Sequence, residues 1–135
     1  DGVKYYDDSI STICDTAIQA LNSVKDADTI LIGGMDRGID YKELIEFLSA
    51  HAVSNIILMA ATGKRIYGEI CHDYADFGDL NRLHLVDTLE EAVLLAKKVT
   101  AKGKSCVMSP AAASYGIFKN FEERGEVFNR LVHET

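Results

Sequence analysis

The chain has 135 residues, of which 47% are hydrophobic and 26% charged, and its formal net charge is −7 at pH 7. This is typical of one globular domain, and the acidic balance disfavours binding to nucleic acid or to an anionic membrane surface, both of which need a basic face. No hydrophobic run reaches the roughly 20 residues of a membrane span and the N-terminus shows no signal-peptide pattern, so we expect no membrane partner.

Strand and helix patterns alternate along the whole chain. Short hydrophobic runs predict strands at Val3–Tyr6, Thr29–Ile32, Asn55–Met59, Arg82–Val86 and Lys104–Met108. Hydrophobic stripes with helical period predict five helices. The first is capped by Ser11 or Thr12, the second runs from Asp40 to Ala50, and the third spans about Lys64–His72 after a turn at Ala61–Gly63. The fourth is capped by Thr88 and ended by Gly103, and the last contains Phe118, Phe121, Val127, Phe128 and Leu131. This alternation predicts a single α/β domain with an open, mostly parallel sheet and helices on both faces.

Cysteine and histidine usage indicates neither disulfides nor a metal. Cys14, Cys71 and Cys106 are far apart in the sequence, with no CxxC pair, which predicts reduced, buried thiols. Reduced thiols favour the cytoplasm. Cys71 and His72 are neighbours, but adjacent residues on a helix point apart. The sequence therefore predicts a cytoplasmic protein without a metal site.

Two loops at the predicted ligand edge suit an anion. Ligands of open parallel sheets bind beyond the carboxyl ends of the strands, near the point where the strand order reverses. In Gly33–Gly38, Arg37 offers a planar fork for a carboxylate or phosphate. In Ser109–Gly116, small residues and the Ser114 hydroxyl lie between a strand and a helix. The simpler interpretation of the first loop is a surface arginine paired with a neighbouring aspartate, and that of the second loop is a tight turn without a ligand. Together the loops favour a small acidic ligand.

Other polar stretches carry less chemistry. Asp7 and Asp8 either cap a turn or form the acidic pair of a phospho-receiver, although the other receiver residues are missing. No nucleotide-binding motif is complete, since Gly33–Gly38 lacks the lysine and hydroxyl residue that a P-loop needs. The stretch Glu122–Arg124 is typical of a solvated helix face, and Tyr5 with its neighbour Tyr6 is typical of strand packing.

Three motifs together resemble the C-terminal domain of the Mur ligases, and especially its glutamate-adding members. They are Asp7–Thr12, Leu31–Gly38 and the long, specific Ser109–Gly125, and the resemblance covers essentially the whole chain in order. It implies a Rossmann-like fold. Family members also have a UDP-sugar domain and a central ATPase domain, so the resemblance implies that residues 1–135 are one domain that follows the central one, and that the other two are absent from this chain.

The resemblance also implies a reaction. Family members are ATP- and Mg-dependent, amide-forming ligases of peptidoglycan synthesis. ATP phosphorylates the terminal carboxylate of UDP-N-acetylmuramoyl-L-alanine, and the amine of the incoming glutamate attacks the acyl phosphate. ATP and Mg are expected mainly on the central domain, while this domain holds glutamate and closes over the ATP site. The isolated domain is expected to be inactive, with no catalytic residue of its own.

Carried onto this sequence, the resemblance assigns residues to both ends of glutamate. Thr12 and Arg37 stand where the family binds the α-carboxylate. Ser114, Tyr115 and the backbone N–H of Phe121 match the cradle for the side-chain carboxylate. Charge-assisted hydrogen bonds of this kind contribute roughly 1.5–3 kcal/mol each, which is enough to position a small dicarboxylate.

Asp8 matches a family residue that contacts the ribose of the nucleotide. Three other positions depart from the family pattern. Ile10 replaces a frequent lysine, Ala112 replaces a frequent cysteine, and Tyr115-Gly116 replaces the more usual leucine-aspartate. The changed loop leaves the choice between D- and L-glutamate open. A folylpolyglutamate synthase-type ligase and a non-enzymatic ligand-binding or signalling module are the alternative functions.

Overall fold

Strands and helices alternate along the chain as the sequence patterns predict. The computed structural model describes residues 3–8, 14–36, 38–50, 53–74, 77–78, 80–112, 118 and 120–133, with only the backbone described for residues 14, 15 and 121. The elements within these ranges are β1 Lys4–Asp7, α1 Cys14–Ser23, β2 Ala27–Gly33, α2 Lys42–Ala50, β3 Asn55–Met59, α3 Ala60–Asp73, a 3-10 turn Leu80–Arg82, β4 Leu83–Val86, α4 Leu89–Val99, β5 Ser105–Met108 and α5 Phe121–His133.

The strands form one open sheet in the order β1-β5-β2-β3-β4, and every strand pairing in the described part of the chain is parallel. Helices α1, α2 and α3 pack on one face, and α4 and α5 on the other. The chain crosses the sheet from β1 to β4 and then returns to insert β5 between β1 and β2. This confirms the predicted fold, and it locates the reversal of strand order at β5.

The central strands explain why the sheet is covered on both faces. Residues Ile30–Ile32 of β2 and Ile56–Leu58 of β3 are fully buried and have no polar alternation, as expected for strands between two helical layers. The edge strand β1 differs. Tyr5 packs edge-on against Phe128 of α5, with ring centroids 6.5 Å apart, whereas Tyr6 is 41% exposed. Strand packing is therefore confirmed for Tyr5 only.

The predicted turn at Ala61–Gly63 is wrong, because these residues form the first turn of α3, which begins directly after β3. Gly63 serves a close approach there, since a Cβ atom at this position would lie 2.6 Å from the carbonyl carbon of Leu58. The predicted end of α4 at Gly103 is also wrong. The helix ends at Val99, and Gly103 adopts φ +88° in the turn that leads into β5.

Helix starts are predicted more accurately. Thr88 caps α4 in a reciprocal capping box with Glu91, and the Asp40 carboxylate accepts a hydrogen bond from the Lys42 N–H, 2.9 Å away, at the start of α2. The last helix begins at Phe121, so the prediction that it includes Phe118 is wrong. The predicted caps of α1 lie outside the described residues.

Two cysteines show opposite environments. Cys106 in β5 is buried, and burial raises the pKa of its thiol to about 12. Cys71 is exposed, so the prediction of a buried thiol is wrong at this position. The physical reason is helical geometry, because the neighbouring Ile70 occupies the inward face of α3.

Candidate functional site

The carboxyl ends of β1, β5 and β2 lie side by side at the switch point. Met108, the last residue of β5, is in register with Asp7 on one side and with Leu31 on the other. Beyond the strands, the Gly33 N–H donates to the carbonyl oxygen of Pro110 at 2.9 Å. The loops that carry the three sequence motifs therefore leave the sheet next to one another.

Asp8 follows β1 and reaches the segment after β5. Its backbone N–H donates to the carbonyl of Met108 at 2.8 Å, and its Oδ2 accepts a hydrogen bond from the hydroxyl of the buried Ser109 at 2.7 Å. Within the part of the chain that the structure describes, Oδ1 accepts no hydrogen bond. A cleft of about 310 Å³ opens beside this carboxylate, between β1 and α1, with Tyr6 and Gln19 in its walls.

Asp7 serves a different contact. Its carboxylate accepts a hydrogen bond from the Asn129 side chain at 3.3 Å, and it lies so close to α5 that a Cβ atom on Gly125 would be 2.6 Å from Oδ2. The two neighbouring aspartates thus interact with different elements. Among the described residues, no group of three or more His, Cys, Asp or Glu side chains could hold a metal ion.

The segment after β5 is held from both sides of the sheet. Ala111 and Ala112 are fully buried, and Ala111 adopts a left-handed backbone conformation with φ +54°. The Tyr41 hydroxyl donates to the carbonyl of Ala111 at 2.7 Å, and Nη1 of Arg124 donates to the carbonyl of Ala112 at 2.8 Å. The backbone that enters the predicted small-residue loop is therefore fixed by two buried hydrogen bonds.

Arg124 corrects the prediction of a solvated helix face at Glu122–Arg124. Its side chain is buried, with 1% exposure, because it lies on the inward stripe of α5 together with Phe128 and Leu131. Burial lowers its pKa to about 10, against the opposing effect of the Asp7 carboxylate, so the guanidinium remains charged at neutral pH. The spacing of four and seven residues to two buried apolar side chains is the sequence signal that would have found it.

The loop after β2 is organised by an arginine that the sequence analysis did not single out. Asp36 Oδ1 accepts hydrogen bonds from the Gly38 N–H at 2.9 Å and from Nη1 of Arg65 at 2.6 Å. The hydrogen bond from the Gly38 N–H, the largest single cause, and the hydrogen bond and charge of the Arg65 guanidinium lower the pKa of Asp36. Glu69, four residues after Arg65, is the available sequence signal, because this spacing favours an ion pair on a helix.

The sequence-predicted site residues divide into described and undescribed ones. Asp8 is at the switch point, and the backbone of Phe121 begins α5. The others lie outside the described residues, so their assignments stay predictions: Thr12, Arg37, Ser114 and Tyr115. The described residues on either side of Arg37, and those that lead up to residue 113, do lie at the same edge of the sheet.

The fold and the position of the loops define an open, Rossmann-like α/β domain with its candidate site at the switch point. No family model matches the chain. Over 133 residues it is 37% identical to UDP-N-acetylmuramoylalanine–D-glutamate ligase of Caldanaerobacter subterraneus subsp. tengcongensis, an alignment that covers 98% of this chain and 28% of that protein. Proteins of the same name show 37% identity in Geotalea uraniireducens (97% of this chain, 27% of the relative) and 36% in Lactobacillus acidophilus (99% and 28%).

The chain is thus a homologue, over nearly its whole length, of part of the UDP-N-acetylmuramoylalanine–D-glutamate ligases, which confirms the resemblance to the Mur ligases. It spans about 28% of the length of the curated relatives that it matches, a share consistent with one domain of a larger protein. In the described ranges, none of the helices combines the length and apolar composition needed to cross a bilayer.

Proposed function

We propose that this chain is the glutamate-binding, C-terminal domain of an ATP-dependent ligase that adds D-glutamate to UDP-N-acetylmuramoyl-L-alanine in peptidoglycan synthesis. Relatives that align with nearly all of the chain carry the name of a D-glutamate ligase. The observation that carries the proposal is the adjacency of the carboxyl ends of β1, β5 and β2 at the switch point, because the three family motifs follow these strands in the sequence.

In this proposal the loop after β2 binds the α-carboxylate of glutamate. Arg37 provides a bidentate, charge-assisted contact, and Thr12 adds a hydroxyl from the loop after β1. The positions on both sides of Arg37 support this role, since the Asp36 carboxylate is bonded to the Gly38 N–H and to Arg65. The backbone on both sides of Arg37 is therefore tied to α3 through Arg65.

The loop after β5 binds the side-chain carboxylate. Ser114, Tyr115 and the backbone N–H of Phe121 form the proposed cradle. Phe121 is the first residue of α5, and the unpaired N–H groups of a helix N-terminus favour an anion. The hydrogen bonds to the carbonyls of Ala111 and Ala112 fix the backbone that leads into this cradle.

In this proposal the chain contributes little to the binding of ATP and Mg. Its sequence contains no complete phosphate-binding motif, and its described residues contain no metal-binding cluster. We therefore assign both mainly to other parts of the longer enzyme, where ATP supplies the phosphoryl group that activates the acceptor carboxylate. Asp8, beside the open cleft, is proposed to contact the ribose. The chain's own contribution is to orient glutamate so that its amine can attack the acyl phosphate.

The proposal is tested by assaying the ligase that contains this chain with UDP-N-acetylmuramoyl-L-alanine or a pteroate acceptor, each with D- or L-glutamate. We expect turnover with the UDP-sugar acceptor and D-glutamate, and none from the 135-residue chain alone. Turnover of pteroate would indicate a folylpolyglutamate-type ligase, and preference for L-glutamate would overturn the stereochemistry. Labelling of Asp8 or Asp36 by acetyl phosphate would instead indicate a signalling module.

A further inference from the structure

We infer that Arg65, on the first half of α3, is a positioning residue for recognition of the glutamate α-carboxylate, because it holds the loop that presents Arg37. This inference rests on the proposed function for its substrate. It does not assign Arg65 any contact with glutamate. Arg37 lies outside the described residues, whereas Arg65 and the residues that it contacts are described.

The guanidinium of Arg65 forms hydrogen bonds with residues on both sides of Arg37. Nη1 of Arg65 lies 2.6 Å from Asp36 Oδ1, one residue before Arg37, and Nη2 donates to the carbonyl of Ile39, two residues after it. The same Asp36 oxygen accepts the Gly38 N–H at 2.9 Å. The described residues on both sides of Arg37 are therefore tied together by hydrogen bonds through Arg65 and Asp36.

Arg65 is itself held in place. Its Nε donates to Glu69 at 2.9 Å, one turn further along α3, and its guanidinium lies over the Tyr41 ring at 5.1 Å from the centroid. The start of the same helix also contacts the loop, since the Thr62 N–H donates to the carbonyl of Gly34 at 3.1 Å. Lysine could not reproduce this arrangement, because a single ammonium group lacks the planar fork that serves several acceptors at once.

Through its contact with Tyr41, Arg65 is also connected to the segment that leads into the loop predicted to bind the side-chain carboxylate of glutamate. Tyr41 packs under Arg65 with its ring and donates through its hydroxyl to the carbonyl of Ala111 at 2.7 Å. Arg65 and Tyr41 thereby connect the loop after β2 with the segment after β5. These contacts tie together the described backbone that leads into the two predicted carboxylate-binding loops, and selection of a dicarboxylate by length requires a defined separation of these loops.

The chain offers a matched control in Arg82, at the opposite edge of the sheet. Arg82 donates to two backbone carbonyls, those of Val53 at 3.0 Å and Leu48 at 3.1 Å, and like Arg65 it lies over an aromatic ring, that of Phe77, at 5.6 Å. Arg65→Met and Arg82→Met both remove a guanidinium that donates to backbone carbonyl oxygen and lies over an aromatic ring, and Arg65→Met also removes the ion pairs with Asp36 and Glu69. Only Arg65→Met removes contacts from the edge with the motif loops.

The test combines ligase kinetics with hydrogen exchange. In the ligase containing this chain, Arg65→Met should raise the KM for D-glutamate at least about ten-fold, with the ATP KM and kcat within about two-fold. Arg82→Met should lower the melting temperature without changing the glutamate KM. In the 135-residue chain, Arg65→Met should accelerate amide exchange of Gly38. Arg65→Lys, which keeps the charge and should fold, should also raise the glutamate KM.

The inference is overturned if both Arg65 variants change the glutamate KM no more than Arg82→Met does, or if Gly38 exchange is unaffected. Failure of the proposed function would look different, since the wild-type ligase would then not use glutamate at all. The Gly38 measurement needs no substrate, so in that case it still decides whether Arg65 holds the loop.

Discussion

The two ends of the parallel sheet are both rich in polar contacts, yet they differ in what those contacts hold. At the amino end, the hydroxyls of Thr29 and Thr100 lie 2.7 Å apart and the Ser105 hydroxyl donates to Asp26 at 2.8 Å. These bonds join residues at the starts of β2 and β5 to Thr100, just after α4, and to Asp26, in the turn before β2. At the carboxyl end, the bonded carbonyls of Ala111 and Ala112 continue directly into a motif loop. The number of polar contacts therefore does not by itself distinguish the two ends of the sheet. They differ because the hydrogen-bonded backbone at the carboxyl end leads into a motif loop.

Backbone conformation separates the two ends further. Ala60 and Ala111 are the non-glycine residues with positive φ in the described ranges, at +58° and +54°, and they follow β3 and β5 at the carboxyl end. Each such residue costs on the order of 1 kcal/mol or more, and such conformations cluster at functional sites. The amino-end turn before β5 instead uses Gly103, for which a left-handed conformation is nearly free.

The largest difference in stability is expected between two glycine substitutions. Gly33 has φ +135°, and a Cβ atom there would lie 2.0 Å from the carbonyl oxygen of Met59, whereas a Cβ on Gly103 would meet nothing within 4 Å. Gly33→Ala should lower the free energy of unfolding by at least about 3 kcal/mol and Gly103→Ala by only about 1 kcal/mol. Urea denaturation measures both values. Equal losses would mean that the carboxyl end is not the more constrained one.

Two hydroxyl deletions separate stability from binding. Tyr41→Phe removes the bond to the Ala111 carbonyl, and Ser105→Ala removes the bond to Asp26. Each should cost about 1–2 kcal/mol of unfolding free energy. In the ligase, only Tyr41→Phe should raise the KM for glutamate, by roughly three- to ten-fold. A similar rise for Ser105→Ala would remove the functional distinction between the two ends.

The smallest expected effect is a shift in the pKa of the Asp36 carboxyl group. The Gly38 N–H and then Arg65 lower the pKa of Asp36 below its usual 3.8. A carboxyl group with a lowered pKa in the folded state contributes stability above its unfolded pKa and loses it as the pH falls through the folded pKa. Carboxyl ¹³C titration should therefore place the Asp36 midpoint below 3.8, and Arg65→Met should raise it only in part. A wild-type midpoint at or above the usual value would contradict this.

Most of the fold follows from patterns visible in the sequence. The buried runs of β2 and β3 and the Thr88–Glu91 capping box are local signals that the structure repeats. The errors at Gly63 and Gly103 have one cause. Glycine marks close backbone approach as well as turns and helix ends, and only the packing of α3 on β3 shows which role Gly63 has.

Less of the site could be predicted. The topology rule predicts the edge of the sheet at which the strands before the three motif loops end side by side, because it depends only on strand order and direction. The contacts of Arg65 and Arg124 could not be predicted because they are made with groups that are distant in sequence, such as the carbonyls of Ile39 and Ala112. A charged run such as Glu122–Arg124 resembles a solvated surface until the neighbouring elements are present.

The most direct test of the central claim, that the carboxyl-end loops bind glutamate, is the KM split of Arg37→Ala in the ligase containing this chain. Loss of a charge-assisted contact to the α-carboxylate should raise the KM for D-glutamate at least about ten-fold and leave the ATP KM within about two-fold. An unchanged glutamate KM would contradict the claim and remove Arg37 from the site.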